Sequence, residues 1–259
     1  VVAFDDVTDL VSAQRMAAWG DVARRIAHEI KNPLTPIQLS AERLKRKFAP
    51  VVGDDADSLI QMTEVIVRQT NDLRRIVDEF SKFARMPEPE KTDRDIKVLV
   101  RDAVTLQKAA MDDVILKSEL PDEVVLVSVD QTMISQAMTN LIKNAGEAIE
   151  SLYEKTNPTD HKPEIRVKMV NHETYVEISI SDNGIGLPVD RSSLFEPYVT
   201  TRSSGTGLGL PIVKKIIEEH GGSLALVDAA PFGKDNHFGA KALIKLPKDH
   251  NQTTEKNVA

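Results

Sequence analysis

A seven-residue apolar repeat runs through the first third of this 259-residue chain and limits its possible folds more than any other feature. Between Asp9 and Phe48 the only glycine is Gly20. Apolar residues recur at Met16, Ala23, Ile30, Ile37 and Leu44, partnered by Trp19, Ile26 and Pro33. The pattern predicts one long helix in spite of Pro33 and Pro36. A turn follows at Ala49–Asp54, and a second helix is expected from about Asp55 to Arg85. Leu59, Ile66, Leu73 and Phe80 form one of its lines, and Met62, Gln69, Ile76 and Phe83 the other. Alternating steps of three and four make the seam of a helical bundle. At 1.5 Å per residue the first helix would be roughly 60 Å long. Two such helices cannot cover both of their apolar faces alone, so a dimer closing a four-helix bundle is expected.

The pattern changes after the stiff run Arg85-Met86-Pro87-Glu88-Pro89-Glu90. An apolar-periodic segment spans about Ile96 to Ala110. Strands are expected at Val124–Val129, Ile165–Val170, Tyr175–Asp182, Ser223–Val227 and Ala240–Leu246, with helices at Gln131–Ser151 and Leu210–Glu219. This alternation fits an α/β sandwich with a mixed sheet, and 4% aromatic residues argue against an all-β alternative. Ser151–Glu164, polar and carrying two prolines, is expected to be a surface loop. The net charge of -7 argues against a general nucleic-acid binder. With no cysteine there are no disulfides, thiolate metal sites or cysteine nucleophiles. No apolar run reaches the ~18 residues of a membrane span. The chain begins at Val1 in a strand-like run, so it is read as a piece of something longer.

His28 stands apart from the other five histidines because the heptad places it opposite the seam. Asn32 shares its face one turn on, Glu29 is adjacent and able to hydrogen-bond an imidazole, and Pro33 removes a helix hydrogen bond just beyond. On spacing alone a reactive histidine and an ordinary solvated one are equally good readings. Metal binding is weaker, since no second ligand shares the face. The contiguous run His28-Glu29-Ile30-Lys31-Asn32-Pro33-Leu34-Thr35 resembles the phosphoacceptor motif of sensor histidine kinases, and the hairpin resembles their dimerisation and phosphotransfer domain. The resemblance implies that a ring nitrogen of His28 takes a phosphoryl group from ATP. Glu29 would hold the proton of the other nitrogen, and Asn32 would orient water when the partner is dephosphorylated.

Three further motifs converge on one ligand. Asn140 and Asn144 lie one turn apart on an expected helix, in Thr139-Asn140-Leu141-Ile142-Lys143-Asn144-Ala145. Neutral amide oxygens suit Mg²⁺ already carried by phosphate, where extra carboxylates would repel the triphosphate. Lys143 is equally well a phosphate contact or a solvated charge. Asp182-Asn183-Gly184-Ile185-Gly186 ends a strand; its carboxylate could accept from an adenine amine, while Gly184 and Gly186 let the backbone approach a ring. The same string is equally common as a tight turn. Gly205-Thr206-Gly207-Leu208-Gly209-Leu210 leads into a helix, whose free N–H groups suit phosphate. It lacks the Gly-Lys-Ser/Thr end of a Walker loop and the context of a dinucleotide fold.

In order and spacing these segments resemble the asparagine box and the two glycine boxes of the histidine-kinase ATP-binding domain. Phe195-Glu196-Pro197-Tyr198 resembles its phenylalanine box. The resemblance implies the Bergerat-type α/β sandwich shared with gyrase and MutL. It assigns Asp182 to adenine, Asn144 to Mg²⁺ and Asn140 to phosphate. Gly184, Gly186, Phe195, Thr201, Gly205, Thr206, Gly207, Leu208 and Gly209 would complete the ATP site, with the glycine run ending a mobile lid. Relatives that hydrolyse ATP carry a glutamate where this chain has Asn140, so here ATP would wait for His28. Arg202 would steady the transferring phosphoryl charge, or is a lid surface charge.

The implied organisation is the end of a PAS sensor domain at 1–8, a dimerisation and phosphotransfer domain at 9–86, a linker at 87–90, an ATP-binding domain at 91–248 and a disordered tail at 249–259. Gln14–Phe48 and Glu196–Thr201 are similar to NtrY-type nitrogen-regulation kinases. That similarity implies a cytoplasmic core, anchored in the bacterial inner membrane through segments missing here. It also implies a homodimer signalling to an NtrC- or NtrX-like response regulator. Two rival readings are an ATPase of the gyrase superfamily, revived by rapid hydrolysis without protein labelling, and a silent dimeric adaptor, supported by failure to bind ATP and Mg²⁺. His161, His172, His220, His237 and His250 are expected to serve plain surface or packing roles.

Overall fold

The computed structural model describes residues 8–84, 87–156, 158, 161–191, 193–196, 199–200, 206–232 and 238–248. They fall into two compact units divided between Pro87 and Glu88.

The first unit is a helical hairpin. Helix α1 (Thr8–Phe48) runs through Pro33 and Pro36 without ending. A short 3-10 turn at Gly53–Asp55 leads into α2 (Ala56–Ala84), and Gly53 takes the positive φ of +62° that the reversal needs. Ala27, Leu34 and Ala41 of α1 and Thr63, Thr70 and Val77 of α2 are buried. They keep the seven-residue period but sit one residue beyond the second predicted apolar line of each helix. Small side chains at this contact let the two backbones approach. Thr63 and Thr70 satisfy their hydroxyls by donating back to the carbonyls of Leu59 (2.9 Å) and Ile66 (2.7 Å). Exposed polar ties cross the hairpin: Lys31 pairs with Asp78, Lys45 lies 2.5 Å from Glu64, and Arg74 donates to the Thr35 hydroxyl at 2.9 Å. Such pairs contribute little individually. The predicted seam is therefore not the hairpin contact. Ile26, Ile30, Ile37, Leu44, Met62, Ile66, Leu73 and Ile76 stay exposed, Leu73 to 48%.

The second unit is an α/β sandwich. In chain order it comprises β1 (Thr92–Asp95), α3 (Ile96–Lys108), β2 (Ile115–Glu119), β3 (Leu126–Val129), α4 (Gln131–Thr156), β4 (Glu164–Asn171), β5 (Tyr175–Asp182), α5 (Gly209–Glu219), β6 (Ser223–Asp228) and β7 (Ala240–Pro247). Five strands form a mixed sheet in the order β2-β4-β5-β7-β6, in which β2 and β4 are parallel, while β1 and β3 pair separately. Alternation buries Val176, Ile178 and Ile180 of β5, Ile165 and Val167 of β4, and Ile244 and Leu246 of β7. Ile134, Met138, Leu141 and Ile142 of α4 and Val213, Ile216 and Ile217 of α5 are also buried, where α4 contacts β4 and β5 and α5 contacts β6. Two expectations are corrected. Helix α4 continues to Thr156, because the Tyr153 hydroxyl donates to the His161 carbonyl at 2.8 Å and Leu152 is buried, so the expected loop is shorter. Strands β1 and β2 were not predicted, since charged Thr92–Asp95 and mostly exposed Ile115–Glu119 show no apolar alternation.

Candidate functional site

The candidate residues fall in both units. In the hairpin, His28 and Asn32 are exposed on α1, as their heptad positions predict. Their neighbours secure the helix beneath them: Ala27 and Leu34 are buried, and Lys31 and Thr35 tie to Asp78 and Arg74 of α2. Within the motif, therefore, some residues face outward while others anchor to the partner helix.

In the sandwich, the alternation of β5 continues past Ile180 to Asp182, which carries a carboxylate into the layer between sheet and helices. Asp182 is 4% exposed, and its Oδ1 accepts from the amides of Gly184 (2.9 Å) and Ala240 (3.3 Å). Asn140 and Asn144 of α4 are half-buried. A Cβ built on Gly209 would lie 3.8 Å from the Asn144 amide, so the amino end of α5 sits beside that side chain. Gly207 has a φ of +66°, the conformation that turns the chain into α5. A buried carboxylate, two neutral amides and a helix start thus share one region. The set fits a nucleotide with Mg²⁺: the amides add no negative charge near phosphates, and the carboxylate offers an acceptor in a desolvated slot.

Other predicted residues are placed differently. Gly184 turns its Cβ side toward α4. A Cβ there would lie 2.4 Å from the Ala148 carbonyl carbon, so its bare backbone is used by α4, where the Ile185 amide also donates to the Ala148 carbonyl. Gly186, with a φ of +80°, faces the Phe238 carbonyl at 2.7 Å by the same construction. Leu208 is fully buried, so its side chain anchors the start of α5 and has only its backbone to offer a ligand. The Leu208 amide donates to the Thr206 hydroxyl at 3.4 Å. Exposed Lys143 lies 3.7 Å from Glu147 one turn on. Phe195 is half-buried with the Lys214 ammonium 5.2 Å from its ring centre. Thr201, Arg202 and Gly205 lie outside the described residues, as do Val1–Val7, His237, His250 and the tail.

The corner around Asp182 has supports that sequence reasoning missed. Asn183 is buried, accepting from the Glu164 amide (2.9 Å) and donating to the Lys162 carbonyl (2.8 Å), while the His161 Nε2 donates to its carbonyl at 2.8 Å. Burial pushes the Glu164 carboxyl up, but hydrogen bonds from Arg166 (2.5 Å) and Lys117 (2.9 Å) outweigh it and hold the group below the ordinary glutamate range. Gly239 packs against Asp182 so closely that a Cβ would meet its carbonyl oxygen at 1.9 Å. The only hint in the sequence is a glycine just ahead of the last strand. His161 and His172 have packing roles, the latter stacked on Tyr175.

Comparison with known proteins joins the two halves. Residues 18–89 match the His Kinase A (phospho-acceptor) domain, and residues 129–250 match the histidine kinase-, DNA gyrase B- and HSP90-like ATPase. The chain belongs to the sensor histidine kinases. It is 51% identical over 232 residues to the nitrogen regulation protein NtrY of Azorhizobium caulinodans, which covers 88% of this chain and 29% of that one. It is 41% identical over 245 residues to an NtrY-like sensor histidine kinase of Rickettsia bellii, covering 93% of this chain and 39% of the other. The chain therefore spans between a quarter and two fifths of these relatives' length. Among solved structures, histidine kinase ThkA in complex with response regulator TrrA matches with a TM-score of 0.58 and 27% identity, over 94% of this chain and 68% of that one. Full-length ShkA in complex with AMPPNP shares the fold, with a TM-score of 0.65 at 20% identity over 88% of this chain and 45% of that one.

Proposed function

We propose that this chain is the catalytic core of an ATP-dependent protein-histidine kinase. It transfers the γ-phosphoryl of ATP to His28 and then to an aspartate of a response-regulator receiver domain. The observation that carries this reading is an exposed histidine in a phosphoacceptor motif on the same chain as a buried carboxylate, two half-buried amides and a glycine-led helix start. Asp182 would accept from the adenine amine, Asn140 and the amino end of α5 would hold phosphates, and Asn144 would hold Mg²⁺, which neutralises phosphate charge when bound. Thr201, Gly205 and Arg202 are assigned to the lid by family resemblance, Arg202 steadying the γ-phosphoryl. Glu29 orients the His28 imidazole as the opposite nitrogen attacks phosphorus in line, and the bond to the β-phosphate oxygen breaks. Asn32, one turn away, positions water in the reverse, phosphatase regime.

The chain acts as a homodimer, because the exposed aliphatic stripe on both helices needs a second copy to cover it. The resemblance to NtrY-type kinases implies a regulator of the NtrC or NtrX kind and a membrane-anchored parent protein. No helix among the described residues is long and apolar enough to cross a membrane. The test is incubation with Mg²⁺ and γ-labelled ATP, comparing the chain with His28→Gln. Acid-labile, alkali-stable label that disappears in the variant is expected; label that persists in the variant overturns the assignment of His28.

A further inference from the structure

Helices α4 and α5 carry opposite sides of the candidate nucleotide site and pack against each other. At the amino end of α5, Gly209 sits beside the Asn144 side chain. At its far end lies a polar tie, where the sequence suggests no more than packing. His220 closes α5 and is 4% exposed. Its Nε2 receives the amide of Asp130 at 2.9 Å, and its Nδ1 lies 2.7 Å from the Ile216 carbonyl oxygen. An amide N–H only donates and a carbonyl only accepts, so the ring is held with its proton on Nδ1 and a lone pair on Nε2. Asp130 is itself tied down. Its Oδ1 caps α4 by accepting from the amides of Thr132 (2.9 Å) and Met133 (3.1 Å), and its Oδ2 accepts from the amide of Glu90 at 3.0 Å. Glu90 lies at the start of the second unit.

We propose that Asp130 and His220 are positioning residues for the nucleotide site, an inference that rests on the reading of that site given above. They fix where the carboxyl end of α5 sits on α4, and hence where its amino end presents Gly207–Gly209 to Asn144. Through Oδ2 of Asp130 they tie both helices to the chain entering from the linker. Leu208 seats the start of α5 by its buried side chain, and a second hold at the other end sets the direction of the helix. The buried histidine does this with one bond to its own last turn and one to the first residue of the neighbouring cap.

The test uses the whole chain, a non-hydrolysable ATP analogue with Mg²⁺ followed by calorimetry, and amide hydrogen exchange. His220→Leu keeps the bulk but leaves the Asp130 amide unpaired; it should bind the analogue about tenfold more weakly, the scale of one buried hydrogen bond. Exchange should also quicken at Leu208–Ile212, at the opposite end of α5. His220→Gln, which restores an acceptor, should recover affinity to within about twofold. If His220→Leu merely melts earlier, with wild-type affinity and faster exchange confined to 130–133 and 216–222, the residue is structural and the proposal fails. If the unaltered chain itself does not bind the analogue, the nucleotide reading fails, and the relay stands or falls on exchange at Leu208–Ile212 in both His220 variants. Should His220→Leu not fold, Asp130→Asn keeps the cap but offers Glu90 an amide in place of an acceptor. It should quicken exchange at Glu90 and at Leu208–Ile212, and no change at the latter overturns the coupling.

Discussion

Two glycines on facing elements show how differently one methyl group can act. A Cβ on Gly184 meets backbone of α4 at 2.4 and 2.6 Å, and backbone in a helix cannot move aside alone. Gly184→Ala should therefore destabilise the sandwich by about 1–3 kcal/mol, read from the urea midpoint. A Cβ on Gly146 meets the end of the Met111 side chain at 2.7 Å, which can rotate away. Gly146→Ala should stay within about 1 kcal/mol of the parent, because helix propensity gains about what repacking costs. Glu164 adds a pH dependence. Its folded-state carboxyl is held low by Arg166 and Lys117, so its stabilising effect is complete above the ordinary glutamate range and is lost as pH falls through the lower folded value. The stability difference between the parent and Glu164→Gln should shrink between pH 7 and pH 3, and a constant difference would contradict the ion pairing. At this scale Asp182 was legible because strand alternation carries it inward. Gly239, Asn183 and His220 were not, since their partners are remote in the chain and no local pattern marks them.

Whole elements were legible where one face is buried and the other wet. Strand β5 ends at the predicted residues, and α4 begins where expected, because alternation and the Asp130 cap both speak through local sequence. Strands β1 and β2 escaped because each pairs with a single neighbouring strand and buries too few side chains to show alternation. The hairpin is the more instructive case. Its large aliphatics advertise a seam, yet the helices meet along Ala27, Leu34 and Ala41 against Thr63, Thr70 and Val77. Four of these six are alanine or threonine, which give little hydrophobic signal even where they form the contact, so beside the louder stripe the hairpin contact is not legible. If that stripe is covered by a second copy, Ile37→Glu should turn the dimer into a monomer in sedimentation while nucleotide affinity in the other unit stays unchanged. A dimer that survives the charge would place the contact elsewhere.

The molecule as a whole carries its candidate residues in two units, with Pro87–Glu90 at the join. Replacing Pro87 and Pro89 with glycine loosens the linker without touching either site. It should lower the rate of His28 labelling several-fold while KM for ATP holds, since only the productive approach of the units becomes less frequent. The family and its ATP-binding domain were legible because their motifs are local strings, whereas the supports of the nucleotide site are not. The exposed aliphatic stripe also bears on how this protein comes apart. The sandwich closes its core within one chain, whereas the hairpin leaves its large aliphatics exposed. If a second copy covers them, dilution acts as a denaturant on one half only: the hairpin's melting temperature should climb with protein concentration, while that of the sandwich stays where it is.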